Sequence, residues 1–264
     1  MQHEAHEHDH GGAAVSGHDA GGVSLAAGGY QLSPIQAPAA IGEDGAFRFQ
    51  VLTAAGHVAG GFPESHEKAL HLIVVRADGT EFGHVHPEVD RDGTWSTPWR
   101  WAAAGTYRVY ADFIPPEDGA EGLTLTQTVH VPGEFAPVAL PVARVAKVAG
   151  FTVSASGDLI AGSPVELAID VTKAGAPVRA LEPYLGAFGH LVALREGDLA
   201  YLHVHPDGPA PGPGSVSGPT VRFVVTAPTA GRYFLYFDFQ VDGEVFTAEL
   251  QLDAAASERD HAAH

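Results

Sequence analysis

The chain has 264 residues, a formal charge of −18, no cysteine, and a single methionine at its first position. That excludes disulfides, zinc fingers, iron–sulfur clusters and thiolate or thioether copper sites, and leaves imidazole and carboxylate as ligands, which suit Cu(II), Zn(II) or another borderline dication better than Cu(I). The acidic balance argues against nucleic acid, whose phosphates need Lys and Arg clusters, and favours attraction of cations.

The length suffices for two ordinary domains. Abundant Gly and Pro, many Val and Thr, and turn signals at short intervals favour an all-β protein. No apolar run reaches membrane-spanning length. No Lys or Arg precedes Arg48, so the N-terminus does not read as an intact signal peptide; a processed or truncated secreted protein and a cytoplasmic one both fit.

In chain order, residues 1–25 are Gly, Ala, acid and His (His3, His6, His8, His10, His18) and are expected to be a disordered tail, either a weak metal collector or a solvated linker. Residues 26–131 are expected to form a first β-sandwich. Its strands fall near 47–52, 70–76, 81–86, 94–101, 104–113 and 123–131, the size of an immunoglobulin-like or cupredoxin-like unit. Gly105-Thr106-Tyr107-Arg108-Val109 resembles a tyrosine corner, and Trp95, Trp99 and Trp101 are expected in the core. Residues 132–148, with Pro132, Pro137 and Pro141, read as a linker. Residues 149–253 repeat the plan, with a Gly- and Pro-rich insertion between Pro206 and Pro219, and 254–264 read as a disordered tail.

The repeat carries the chemistry. His71-Leu72-Ile73-Val74-Val75-Arg76 leads through Asp78-Gly79 to His84-Val85-His86-Pro87, and 119 positions later His190-Leu191-Val192-Ala193-Leu194-Arg195 leads through Gly197-Asp198 to His203-Val204-His205-Pro206. Each reads as a β-hairpin. Pairing Ala77 with Thr80 across a two-residue turn sets His71 opposite His86, with His84 on the same face. The same register sets His190 opposite His205, beside His203. Two nests of three imidazoles are therefore expected, the ligand set with which carbonic anhydrase holds zinc.

Asp112 and Asp238 lie inside apolar strands, Tyr110-Ala111-Asp112-Phe113 and Tyr236-Phe237-Asp238-Phe239, where a carboxylate costs several kcal/mol unless paired, hydrogen-bonded or metal-bound. In such a sandwich their strands neighbour those of His71 and His190. Two roles are open: fourth ligand, or acceptor for a ligand histidine's N–H. His66, whose counterpart is Leu185, reads as a site-edge residue, and His57 and His130 as ordinary surface or strand residues. Ile73, Val75 and Phe82 share the histidine face of the first hairpin, and Val192, Leu194 and Tyr201 that of the second. The opposite faces are apolar too, so both must be covered. The histidine faces are predicted to be outer sheet faces that the two domains, or extra loops, cover.

At His66-Glu67-Lys68, the His71 to Arg76 run, His84-Val85-His86-Pro87 and Tyr107-Arg108-Val109-Tyr110-Ala111-Asp112-Phe113, the sequence is similar to bacterial proteins, many actinobacterial, that are secreted or membrane-anchored and labelled heavy-metal- or copper-binding. Leu181-Glu182-Pro183-Tyr184-Leu185-Gly186 through Pro206 resembles their C-terminal half. The resemblance covers about residues 26–253. It implies an extracytoplasmic place, with the signal or anchor outside this chain, and a pair of β-sandwiches; it supplies no established reaction.

The sequence thus points first to an extracytoplasmic protein with two related sites, His71/His84/His86 with Asp112 and His190/His203/His205 with Asp238. Each would take Cu(II) or, second, Zn(II), up to two per chain, for buffering, delivery or resistance. A membrane-bound metal transporter or another metal-handling protein is the partner that role implies. Binding is expected to fail as pH falls through about 6, where imidazole protonates. Two alternatives stand beside it: a His3 enzyme, hydrolytic or copper redox, and a tandem interaction module.

Overall fold

The structure, a computed structural model, describes residues 22–257 except 203, 209 and 213. It is all-β: two tandem immunoglobulin-like sandwiches related by the internal repeat. The first contains β1 (Ala26–Ala27), β2 (Tyr30–Leu32), β3 (Gly45–Thr53), β4 (His71–Arg76), β5 (Gly83–Val85), β6 (Glu88–Val89), β7 (Thr94–Trp99), β8 (Gly105–Phe113) and β9 (Leu123–Val131). The second contains β10 (Val145–Val148), β11 (Phe151–Ser156), β12 (Leu159–Ile160), β13 (Pro164–Lys173), β14 (Ala176–Pro177), β15 (His190–Arg195), β16 (Tyr201–Leu202), β17 (His205–Pro206), β18 (Thr220–Thr226), β19 (Gly231–Val241) and β20 (Glu244–Ala255). In the first, a β1-β2-β3-β7-β6 sheet faces β5-β4-β8-β9; in the second, β10-β11-β13-β18-β17, with β14 on β13, faces β12-β20-β19-β15-β16.

Strand parity divides the apolar residues between three cores. On β4, Leu72 and Val74 enter the first sandwich with Phe47, Phe49, Val51, Trp101 and Val109. On β15, Leu191 and Ala193 enter the second with Phe223, Leu235 and Phe237. The alternate residues, Ile73 and Val75 with Tyr110, and Val192 and Leu194 with Phe234 and Tyr236, form a third core between the domains. Phe82 and Tyr201 pack against it. The histidine faces are the outer sheet faces, and the two sandwiches cover each other there.

The contact is reciprocal. Tyr110 donates its hydroxyl hydrogen to Leu199 O at 2.5 Å, and Tyr236 donates to Gly79 O at 2.6 Å. Phe82 stacks on Tyr236 with ring centroids 3.8 Å apart, while Tyr201 lies 5.7 Å from Tyr110. Gly79 has φ +81, and a Cβ there would come within 2.7 Å of the Phe234 ring, so the close approach requires glycine twice over.

The first hairpin keeps the predicted register, with Leu72 opposite Val85 and Ile73 opposite His84. Its turn is wider than the expected pairing of Ala77 with Thr80. Gly79 N–H donates to Arg76 O, and Arg76 N–H to Thr80 O. The cause is Asp78, whose carboxylate accepts from Thr80 Oγ1 at 2.8 Å and from Arg76 Nε at 3.0 Å; Glu81, at φ 55, then returns the chain to register. In the second copy the register also holds, with Ala193 opposite Leu202, but the pairing stops there. His205 is paired with Val224 on β18, in the other sheet of the sandwich. Its expected place opposite His190 is not formed, because the chain crosses between sheets just before the Gly- and Pro-rich insertion begins.

Both tyrosine corners are present: Tyr107 donates to Ala103 O and Tyr233 to Thr229 O, each at 2.8 Å. The connection between the domains is anchored rather than free. Val138 N–H donates to Asp78 Oδ2 at 2.9 Å and Arg232 donates to Leu140 O at 2.9 Å, while β10 takes up the last residues of the expected linker.

Candidate metal centre

His71 opens β4 and His84 lies on β5, two strands that pair directly; His86 follows two residues on, at the same face. The three rings converge. His71 Nδ1 is 3.1 Å from His84 Nε2 and 3.1 Å from His86 Nε2, and one nitrogen from each ring falls within a 4.8 Å set.

Hydrogen bonds at the outer nitrogens decide which tautomers these are. Ser65 O, 3.0 Å from His71 Nε2, can only accept, so Nε2 carries the proton and Nδ1 is a bare lone pair. His84 Nδ1–H donates to Asp238 Oδ2 at 2.7 Å, which in the neutral ring leaves His84 Nε2 bare as well. Two lone pairs therefore face each other at 3.1 Å. Burial opposes a proton on His71 and on His86, holding them down to about 4 and about 3. A cation placed among the rings would turn that repulsion into ligation. Imidazole nitrogens about 2.0–2.1 Å from a tetrahedral ion stand about 3.3 Å apart, close to the spacing here.

The two domains share this centre. Asp238, on β19 of the second sandwich, is the carboxylate that holds His84 of the first, and Thr247 Oγ1 braces its other oxygen at 2.5 Å. Asp112 occupies the matching place on β8, directly opposite His71 as Asp238 is opposite His190. It accepts from Thr124 Oγ1 at 2.8 Å and faces the Tyr201 hydroxyl at 3.5 Å, rather than joining the trio as a ligand. A cavity of about 40 Å³ is lined by His66, His71, His84, Asp112, His190 and Tyr201.

Among the described residues one trio converges, His71, His84 and His86. Of the second expected nest, His190 is buried beside the same cavity, with its Nε2–H donating to Tyr184 O at 2.8 Å. His203 and the side chain of His205 lie outside the described residues, and β17 takes the His205 backbone to the other sheet. The trio lies at the domain boundary, with Asp238 of the second sandwich holding one of its rings. His66, taken for a site-edge residue, is closer in than that: its ring centroid is 5.2 Å from His190 and 6.2 Å from His71.

Sequence reasoning missed Ser65, Tyr184 and Thr247. Ser65 and Tyr184 each stand six residues before a histidine at the start of an apolar strand, the one signal that pairs them. Burial lowers the His71 imidazole itself to about 4.

The family model described as "Domain of unknown function (DUF8832)" matches residues 26–133 and 146–256. No curated protein matches the chain. Solved structures are similar at low identity. Invasin, a bacterial integrin-binding protein, is 14% identical over 86% of this chain and 39% of its own, with a TM-score of 0.26. The D0–D1 domain of intimin is 11% identical over 80% of this chain and 90% of its own, at 0.25. Salmonella alpha-2-macroglobulin is 17% identical over 86% of this chain, at 0.29. The chain spans about two fifths of the length of invasin and 15% of the macroglobulin.

Proposed function

The chain belongs to the DUF8832 family, and we propose that it binds a divalent transition-metal ion, Cu(II) first and Zn(II) second, through His71, His84 and His86 at the boundary of its two sandwiches. The observation that carries this reading is the pair of bare nitrogens, His71 Nδ1 and His84 Nε2, fixed 3.1 Å apart by acceptors at their outer sides. Neutral imidazoles favour copper over zinc when both are available, and Asp238 offsets part of the ion's charge from His84's far side. The role we infer is buffering, delivery or resistance outside the cytoplasm, the location resting on the sequence resemblance. A membrane-bound metal transporter is the partner that role calls for.

The test is metal analysis and Cu(II) titration of full-length protein in which His3, His6, His8, His10, His18, His261 and His264 are replaced by Ala, so that the termini take no metal. Tight binding that His84→Ala weakens by more than a hundredfold is the expected result. No retained metal, or affinity indifferent to His84→Ala, overturns the reading. A second reading, a tandem β-sandwich interaction module, is favoured by the apolar core that joins the two domains. A partner bound equally well by metal-free and His84→Ala protein would support it.

A further inference from the structure

We propose that the same cavity holds a second divalent cation, ligated by His190 of the second domain and His66 of the first, beside the ion of His71, His84 and His86. This rests on the metal reading above and extends it to a two-ion centre.

His190 is prepared as a ligand in the way His71 is. Each opens an apolar strand, each stands opposite an aspartate, and each donates Nε2–H to the carbonyl six residues earlier, Ser65 O at 3.0 Å and Tyr184 O at 2.8 Å. In His71 this leaves Nδ1 as the nitrogen of the trio; in His190 it leaves the same atom bare. Yet His190 is not part of the trio's nitrogen set, and among the described residues its ring neighbours include His66 at 5.2 Å and Tyr184 at 5.9 Å. A second lone pair, oriented like a ligand and buried, faces a different position from the first ion.

A tight turn places His66 there. It and Glu67 are the central residues of a two-residue turn closed by Ser65 and Lys68, with φ 51 and 61. The repeat has the same turn between Tyr184 and Ala187 but carries Leu185-Gly186 in it, so the fold does not need the imidazole. Asp112 lines the cavity as a nearby carboxylate. The space suffices: about 40 Å³ accommodates roughly three water-sized occupants at about 10–15 Å³ each, and paired metal ions stand only about 3.5–4 Å apart.

The experiment is Cu(II) stoichiometry with electron paramagnetic resonance, on the full-length protein lacking the terminal histidines. Two ions per chain with the half-field transition of a coupled Cu(II) pair are expected. His66→Leu and His190→Gln should each reduce this to one ion and abolish the coupling. His66→Leu installs the residue that the repeat already carries at this turn, so its metal-free melting temperature serves as the folding control. One ion in the parent, lost in His84→Ala, overturns the second position and leaves the trio standing. Two ions that His66→Leu does not reduce to one also overturn it, since the second then lies elsewhere. No ion at all overturns both readings.

Discussion

Asp238 sits on β19 of the second sandwich, yet the proton it holds in place belongs to His84 of the first, 2.7 Å away. An amide at that position keeps the shape but presents a donor as readily as an acceptor, so His84 loses its fixed tautomer and the ion loses a nearby negative charge. Asp238→Asn should therefore weaken metal binding by about 10–100-fold, the usual cost of removing such a partner. Calorimetric titration checks it, and an unchanged affinity would remove Asp238 from the site. His71, His84 and His86 were readable from spacing alone, since a hairpin register and the two-residue period of a strand fix which side chains share a face. The owner of Asp238's hydrogen bond was not. It depends on how two domains dock, and nothing local in Tyr236-Phe237-Asp238-Phe239 encodes that.

At the scale of elements, the tyrosine corners and hairpin turns position the site. Tyr107 ties the start of β8, and so Asp112 further along it, to Ala103 O. Tyr107→Phe leaves the half-buried Ala103 carbonyl without its donor and should cost about 1 kcal/mol in chemical denaturation, with little change in metal affinity. Gly79→Ala acts differently. Its φ of +81 strains alanine by about 1–2 kcal/mol, and the new Cβ meets the Phe234 ring of the other domain. The variant should lower the melting temperature and metal affinity together; a loss of stability with binding intact would separate the turn from the centre. The corner was legible because Gly105-x-Tyr107 has a local cause. The width of the hairpin turn was not, because bonds from the Asp78 side chain to Arg76 and Thr80, rather than the backbone preference of Asp78-Gly79, organise it.

For the whole molecule the decisive feature is that, among the described residues, five imidazoles and two carboxylates lie in or beside an apolar interface. Burial lowers His71 and His190 to about 4 and His86 to about 3, whereas an unfolded chain takes up protons at the ordinary value of 6.5. Between about pH 6.5 and 4 the unfolded chain binds more protons than the folded one, so metal-free protein should lose stability steadily as pH falls through that window. A melting temperature flat from pH 7 to 4 would contradict it. Metal should survive well below pH 6 and be released as pH approaches 4. Because ligands and their acceptors come from both halves, removing metal should also loosen the boundary, read as faster amide exchange on β4, β5 and β15 in chelator.

The reciprocal bonds of Tyr110 to Leu199 and Tyr236 to Gly79 are what a symmetric homodimer displays, each partner offering the same patch to the other. Here both partners are halves of one polypeptide. In a true dimer any substitution near the axis appears twice, so a ligand could be neither gained nor lost on one side alone. Within one polypeptide that restriction is absent, and His66 stands where the repeat carries Leu185: the two sides can differ while the scaffold stays matched.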